Sequence, residues 1–189
     1  MVMFNSRYNF PKVCSSKIEY NNKYITVKSE DLLFTKKENE ELHKEYYSTI
    51  SPDFVVGIVV KDGKLLMIEQ YRHPINSRNL EFLAGMVEDN ETPDQAIIKE
   101  LREEGGIVPK NIEFLGMFNP LSGSSSNKGY VYLITDFDEV EQELELYEEF
   151  AGLVKFWYSI EQFKHLIALG ELNDGVTLAS WCLYLENIV

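Results

Sequence analysis

Residues 85–107 read GMVEDNETPDQAIIKELREEGGI. The stretch predicts a short acidic loop, one amphipathic helix and a double-glycine stop. Thr92 can cap the helix with Gln95 reaching back to it, Pro93 suits the first helical position, and Gly105-Gly106 end it, so the helix should run from about Pro93 to Glu104. Ala96, Ile97 and Leu101 can face a core, whereas Glu100, Glu103 and Glu104 stand at i, i+3 and i+4 and share one face. Like charges at this spacing repel by roughly 0.2–0.5 kcal/mol per pair, and carboxylates in a last turn oppose the helix dipole by about 0.3–1 kcal/mol each. A bound divalent cation would offset that repulsion. No His or Cys lies in the stretch, so its ligands would be oxygens, which favours Mg2+ or Mn2+ over Zn2+.

Upstream of this stretch, Phe54–Val60 and Lys64–Arg72 flank Asp62-Gly63 and read as a central hairpin whose near-continuous apolar runs imply cover on both faces. The second run ends in Gln70-Tyr71-Arg72. Leu80–Leu83 is a short strand delivering Ala84 and Gly85 to the acidic loop. Downstream, Ile112–Asn119 and Tyr130–Thr135 are strands around a hydroxyl-rich loop, Pro120–Asn127. Asp136–Glu149 is dominated by acids and reads as a solvated linker or hairpin. Leu153–Tyr158 is a further strand, Ser159 and Gln162 form a second capping box for a helix stopping at Gly170, and Asp174 caps a last helix over about Val176–Glu186. The class is α+β: a mixed central sheet between helices, an α/β/α sandwich, occupies residues 51–189.

Residues 1–50 form a separate small antiparallel sheet, with Lys17–Tyr20 and Tyr24–Lys28 flanking Asn21-Asn22 and two more short strands at Leu32–Lys36 and Lys44–Ser48. Such a sheet has little core of its own and should pack on the main domain or on a second copy of the chain.

The chain has 189 residues and a formal net charge of -13, which opposes a nucleic-acid backbone or an anionic membrane as partner. A small anionic substrate remains compatible, because bound cations and a local Arg or Lys can reverse the sign of one site. Cys14 and Cys182 are too few and too far apart for a disulfide framework or a zinc site; free, packed thiols in a reducing interior are expected. The N-terminal stretch lacks the apolar run of a signal peptide, and Phe54–Val60 is too short to cross a bilayer, so the expected location is the cytoplasm.

The spacing G-x5-E-x7-K-E-L-x-E-E-x-G-I, carried by Gly85, Glu91, Lys99, Glu100, Leu101, Glu103, Glu104, Gly106 and Ile107, resembles the Nudix box. Lys99, where the family has Arg, is the one departure within the box. It keeps the charge but loses the fork geometry. The flanking segments Gln70-Tyr71-Arg72, Glu81–Gly85 and Gly170–Asp174 with Thr177 are similar to those of the ADP-ribose pyrophosphatases and nucleotide-sugar diphosphatases, extending the resemblance over most of residues 54–189. The resemblance implies the Nudix fold and Mg2+-dependent hydrolysis of the pyrophosphate bond of ADP-ribose or a related nucleoside diphosphate sugar, with Mn2+ as an alternative ion. It implies Glu100, Glu103, Glu104 and the Ala84 carbonyl as metal ligands, and Glu91 and Lys99 as residues that orient them. Arg72 would contact the phosphates and Glu81 the nucleotide, the alternative being a surface Arg72 paired with Glu81, with Gly85 and Met86 beside the substrate. Glu103 and Glu104 thereby serve catalysis, and the general base falls at Glu149, with its neighbour Glu148 in the same region. The N-terminal sheet would exchange within a homodimer, bringing Tyr24 to a base and Lys44 to a phosphate.

Two departures from that subfamily stand out: Leu83 replaces a proline, which changes loop stiffness, and Leu121-Ser122-Gly123 followed by Ser124–Asn127 replaces the usual S-P-G and Glu, which bears on the substrate. A dinucleoside polyphosphate or another nucleotide cofactor is the alternative substrate. A nucleotide-sugar sensor without turnover is the alternative class, which the complete set of box glutamates opposes.

Overall fold

The computed structural model describes residues 10–36 and 40–188. Residues 1–9, the start of the stretch read for a leader, lie outside them. The chain divides into two compact units. One is the N-terminal segment through Pro52 with Leu121–Asn127, and the other is Asp53–Pro120 with Lys128 onward.

The first unit is an antiparallel sheet of three ten-residue strands, β1 (Lys12–Asn21), β2 (Thr26–Thr35) and β3 (Glu41–Ile50), in the order β1-β2-β3. The two strands expected at 24–28 and 32–36 are one, because the pairing of β2 with β3 runs unbroken from Thr26 opposite Ile50 to Thr35 opposite Glu41. The turn before β2 is held by Asn22, whose Oδ1 accepts from the Tyr24 and Ile25 amides at 2.9 and 2.8 Å. The hydroxyl-rich loop belongs to this unit: the Thr49 amide donates to the Ser124 carbonyl at 2.7 Å, and the Tyr46 hydroxyl donates to the Gly123 carbonyl.

The second unit is built on a mixed sheet ordered β12-β5-β4-β10-β9, from β4 (Phe54–Lys61), β5 (Lys64–Arg72), β9 (Glu113–Phe118), β10 (Gly129–Ile134) and β12 (Val154–Ser159). β10 runs parallel to β4 and the remaining pairings are antiparallel. β6 (Ser77–Glu81) pairs with β5, and β7 (Leu83–Met86) pairs with β4. β4 and β5 pair with each other only at the hairpin end, Val60 with Leu65 and Lys61 with Lys64. Beyond that point β7 and β6 take over as their partners, so the hairpin splays into an opening. The strand expected at Leu80–Leu83 is thus two strands broken at Phe82, which is buried, stacks on Phe163 at 5.5 Å and donates its amide to Thr177 Oγ1 at 3.2 Å.

Period-two alternation sends the two faces of the sheet into different cores. Val55, Val59, Leu66, Ile68, Tyr132 and Ile134 pack with Ala96, Ile97 and Leu101 of α1 (Pro93–Glu103). Val56, Ile58, Leu65, Met67 and Val131 pack with Phe163 of α3 (Ile160–Leu169) and Trp181 and Tyr184 of α4 (Gly175–Asn187). This is the expected sandwich. Gly57 lets α1 approach, since a Cβ there would sit 3.1 Å from both Ile97 and Leu101 side chains. The acidic segment is more ordered than a linker: β11 (Phe137–Glu139) pairs with β8 (Ile107–Pro109), and Leu146–Ala151 forms the short helix α2. Both cysteines are free, as expected, but both are exposed and neither is packed.

Candidate active site

The capping box forms as read: the Gln95 amide donates to Thr92 Oγ1 at 3.3 Å, and the Thr92 amide donates to Gln95 Oε1 at 2.9 Å. That box fixes where α1 begins, and therefore which residues occupy its last turn. Glu104 closes the helix, and the chain then leaves through Gly106 at φ +61°, a left-handed conformation that glycine alone adopts without strain. In the preceding loop the Glu88 amide donates to Glu91 Oε2 at 3.1 Å, and Lys99 Nζ donates to Glu88 Oε1 at 2.9 Å. Glu91 thus closes the loop on itself, and Lys99 ties the loop to the helix.

Glu104 is 2% exposed and Glu100 8%, rare burial for carboxylates. Glu104 Oε2 accepts the Ala84 amide at 3.1 Å, which docks the helix end on β7. Glu100 fills the space above Gly85 so closely that a Cβ there would lie 1.8 Å from Glu100 Oε1. Glu148 of α2 completes the group: one carboxylate oxygen from each of Glu100, Glu104 and Glu148 lies within 4.8 Å of the others. Burial first, and the Glu103 charge next, push the Glu100 carboxyl up to about 7. Burial, then the Glu100 and Glu148 charges, hold Glu104 well above the ordinary carboxylate range. Burial also raises Glu103 and Glu148. Three crowded carboxylates in a poorly solvated place, in a wall free of His and Cys, make a hard oxygen set that fits a divalent cation.

These groups line one side of a cavity of about 610 Å³ that occupies the splayed end of the β4–β5 hairpin. Across it, Arg72 Nε and Nη2 donate to the two oxygens of Glu81 at 2.8 and 2.6 Å. Glu81 is buried, but the Arg72 side chain remains 40% exposed. Asn79 donates to Glu81 at 3.0 Å and to Asp174 Oδ1 at 3.4 Å, linking this pair to the residue that caps α4.

The cavity gathers Arg72, Glu81, Ala84, Gly85, Met86, Lys99, Glu100, Glu103 and Glu104, all of them expected. Glu91 stands behind the wall, bonded to the loop. Tyr24, in the turn before β2, and Lys44, on β3, are exposed residues of the first unit. Glu149, expected as the base, is exposed and outside the wall, whereas Glu148 lines it. The reason is helical rotation: α2 turns neighbouring side chains by about 100°, and only one of the two can face inward. Sequence reading passed over Gln70, Asn79, Tyr147 and Asp174 as wall residues. A signal for α2 existed in Glu145-x-x-Glu148, a capping box in which the Glu145 amide donates to Glu148 Oε2 at 2.8 Å, but glutamate is an unusual cap.

The NUDIX domain model matches residues 52–179. The ADP-ribose pyrophosphatase of Bacillus subtilis (strain 168) is 29% identical over 128 residues, 67% of this chain and 68% of that protein. The ADP-ribose pyrophosphatase of Mycobacterium tuberculosis is 32% identical over 127 residues, 66% of this chain, and the match spans 61% of that protein's own length. Among solved structures, one described as an ADP compounds hydrolase superposes with a TM-score of 0.78 at 20% identity, covering 95% of this chain and 94% of that one, which establishes the fold.

Proposed function

Because the chain belongs to the NUDIX family of hydrolases, we propose that it hydrolyses the pyrophosphate bond of ADP-ribose or a related nucleoside diphosphate sugar, with Mg2+ (or Mn2+) held by Glu100, Glu103, Glu104 and the Ala84 carbonyl. The observation that carries this reading is the cluster of buried Glu100 and Glu104 with half-buried Glu148, facing a half-exposed Arg72 across one cavity. Divalent cations at such a cluster neutralise pyrophosphate charge and lower the pKa of the attacking water.

The residues of the chain supply the rest. Glu81 uses two of the Arg72 donors and fixes the guanidinium plane, so the remaining N–H groups are aimed at phosphate oxygens without further ordering. Gly85 lets the backbone and Glu100 close on the substrate side of the helix end. Glu148, raised by burial, takes the proton of the attacking water, replacing Glu149 in that role. Water adds across the P–O–P bridge and yields a nucleoside monophosphate and a sugar phosphate. Phe54, Met86, Ile75 and Val176 give the apolar wall that a base or sugar face requires.

The proposal includes a homodimer with exchanged N-terminal sheets, in which Tyr24 and Lys44 reach a partner's nucleotide, and a cytoplasmic setting. None of the described helices is long and apolar enough to cross a membrane. The decisive experiment is a substrate panel with purified protein and Mg2+: AMP release from ADP-ribose, or the matching monophosphate from another nucleotide sugar, is the expected result. Tight binding of these compounds with no release would replace the enzyme with a sensor.

A further inference from the structure

Cys14, Asp31 and His43 sit on the three neighbouring strands β1, β2 and β3, and Sγ, a carboxylate oxygen and a ring nitrogen of the three lie within 4.8 Å of one another. We propose that this trio is a metal site for a borderline divalent ion of the Zn2+ class, clipping the three strands of the N-terminal sheet together; two distant cysteines are too few for such a site, and Asp31 and His43 supply the ligands that the cysteine count lacks.

Strand register explains how the three meet. Asp31 pairs with Glu45 and Leu33 with His43, so Asp31 and His43 are diagonal neighbours on one face of the sheet. His43 Nδ1 lies 2.9 and 3.2 Å from the two Asp31 oxygens. On the other side of β2, Val13 pairs with Leu32 and Ser15 with Asp31, leaving Cys14 as the extra residue of a bulge. Regular alternation would turn Cys14 away from the face that carries Ser15 and Asp31. The bulge re-aims its thiol toward Asp31.

The donor set then selects the ion. One thiolate, one imidazole and one carboxylate suit Zn2+, with a fourth position left for water. A tetrahedral ion with bonds of about 2.0–2.3 Å separates its donors by roughly 3.3–3.6 Å, a spacing that exposed Cys14 and His43 side chains reach by rotation. Mg2+ takes oxygen ligands and has no use for a thiolate, so the two clusters among the described residues sort ions by softness. Binding releases the thiol proton to solvent and requires a neutral imidazole. The sheet has reason to need the clip: β1 is exposed along its whole length, and Ser29 is the one buried residue of β2. A ligand from each strand converts ion binding into sheet stability.

Cobalt(II) titration of the full chain in excess Mg2+ tests this. One equivalent should give a sulfur-to-cobalt charge-transfer band and tetrahedral visible bands, displaced by Zn2+ and not by more Mg2+. Cys14→Ser should abolish the band, and His43→Ala or Asp31→Ala should weaken cobalt affinity by about tenfold or more. Cys182→Ser and Glu104→Gln should leave it intact. In the Cys182→Ser protein, one equivalent of Zn2+ should also slow labelling of Cys14 by a thiol reagent about tenfold. No band, a band that survives Cys14→Ser, or unchanged labelling would overturn the site and leave an Asp31–His43 hydrogen bond beside a free thiol. Because Cys14 and His43 are exposed, these variants should fold, and the result is separable from any loss of hydrolysis.

Discussion

Glu148 and Glu149 are adjacent carboxylates with opposite surroundings, one in the cavity wall with its carboxyl raised by burial and the other in solvent. Glu148→Gln should lower kcat by about 10²–10⁴, the range for loss of a general base, and Glu149→Gln should leave kcat within about twofold. Steady-state kinetics on the two variants separates them, and equal losses would remove Glu148 from its role. Gly85 is the other telling position. A methyl group there would collide with the Glu100 carboxylate, so Gly85→Ala should cut turnover by about tenfold or more with an unchanged circular dichroism spectrum. Full activity would mean that Glu100 is free to move aside without consequence. Glu100 and Glu103 of α1 and Glu104 at its end were legible because their spacing on one helical turn fixes their common face whatever surrounds it. Glu148 was not, because an acid-rich run offers several registers until a helix selects one.

At the scale of the element, α1 does two jobs with two faces. Ala96, Ile97 and Leu101 anchor it against the sheet, and the last turn carries the carboxylates. Leu101→Ala should destabilise the protein by about 2–5 kcal/mol, read as a lower urea midpoint, and should weaken metal binding because the helix end loses its seat. A destabilised variant with wild-type metal affinity would show that the Glu104–Ala84 bond alone docks the helix end. The break between β6 and β7 is the complementary case. The sequence Leu80-Glu81-Phe82-Leu83 gives no hint of it, since the break depends on Phe82 finding Phe163 and on its amide finding Thr177. That break lets β6 and β7 serve different partners and opens the cavity.

The whole molecule carries a net charge of -13 and concentrates buried like charge at one point. Glu100, pushed up to about 7 in the fold, has a folded pKa above its unfolded one, so its favourable contribution is full below the unfolded value and is lost as pH rises through about 7. Metal-free protein should therefore melt at a lower temperature at pH 8 than at pH 6, and Mg2+ should restore more stability at pH 8. Glu100→Gln should flatten both effects. Identical melting curves with and without Mg2+ at pH 8 would remove the cation from the cluster. The proposed dimer is tested at this scale by sedimentation: a monomer at micromolar concentration would end the shared-site proposal.

Local spacing determined the helix, its caps, its glutamate face and the apolar strands, since each of these depends on residues within one or two turns of chain. Capping boxes at Thr92 and Ser159 and the stop at Gly170 form as written for the same reason. Only the tertiary structure decided which acid of α2 faces inward, how the hairpin splays, and that one cysteine, one aspartate and one histidine from three strands converge. Those outcomes depend on long-range pairing and on register, where a one-residue bulge changes the face on which a side chain appears.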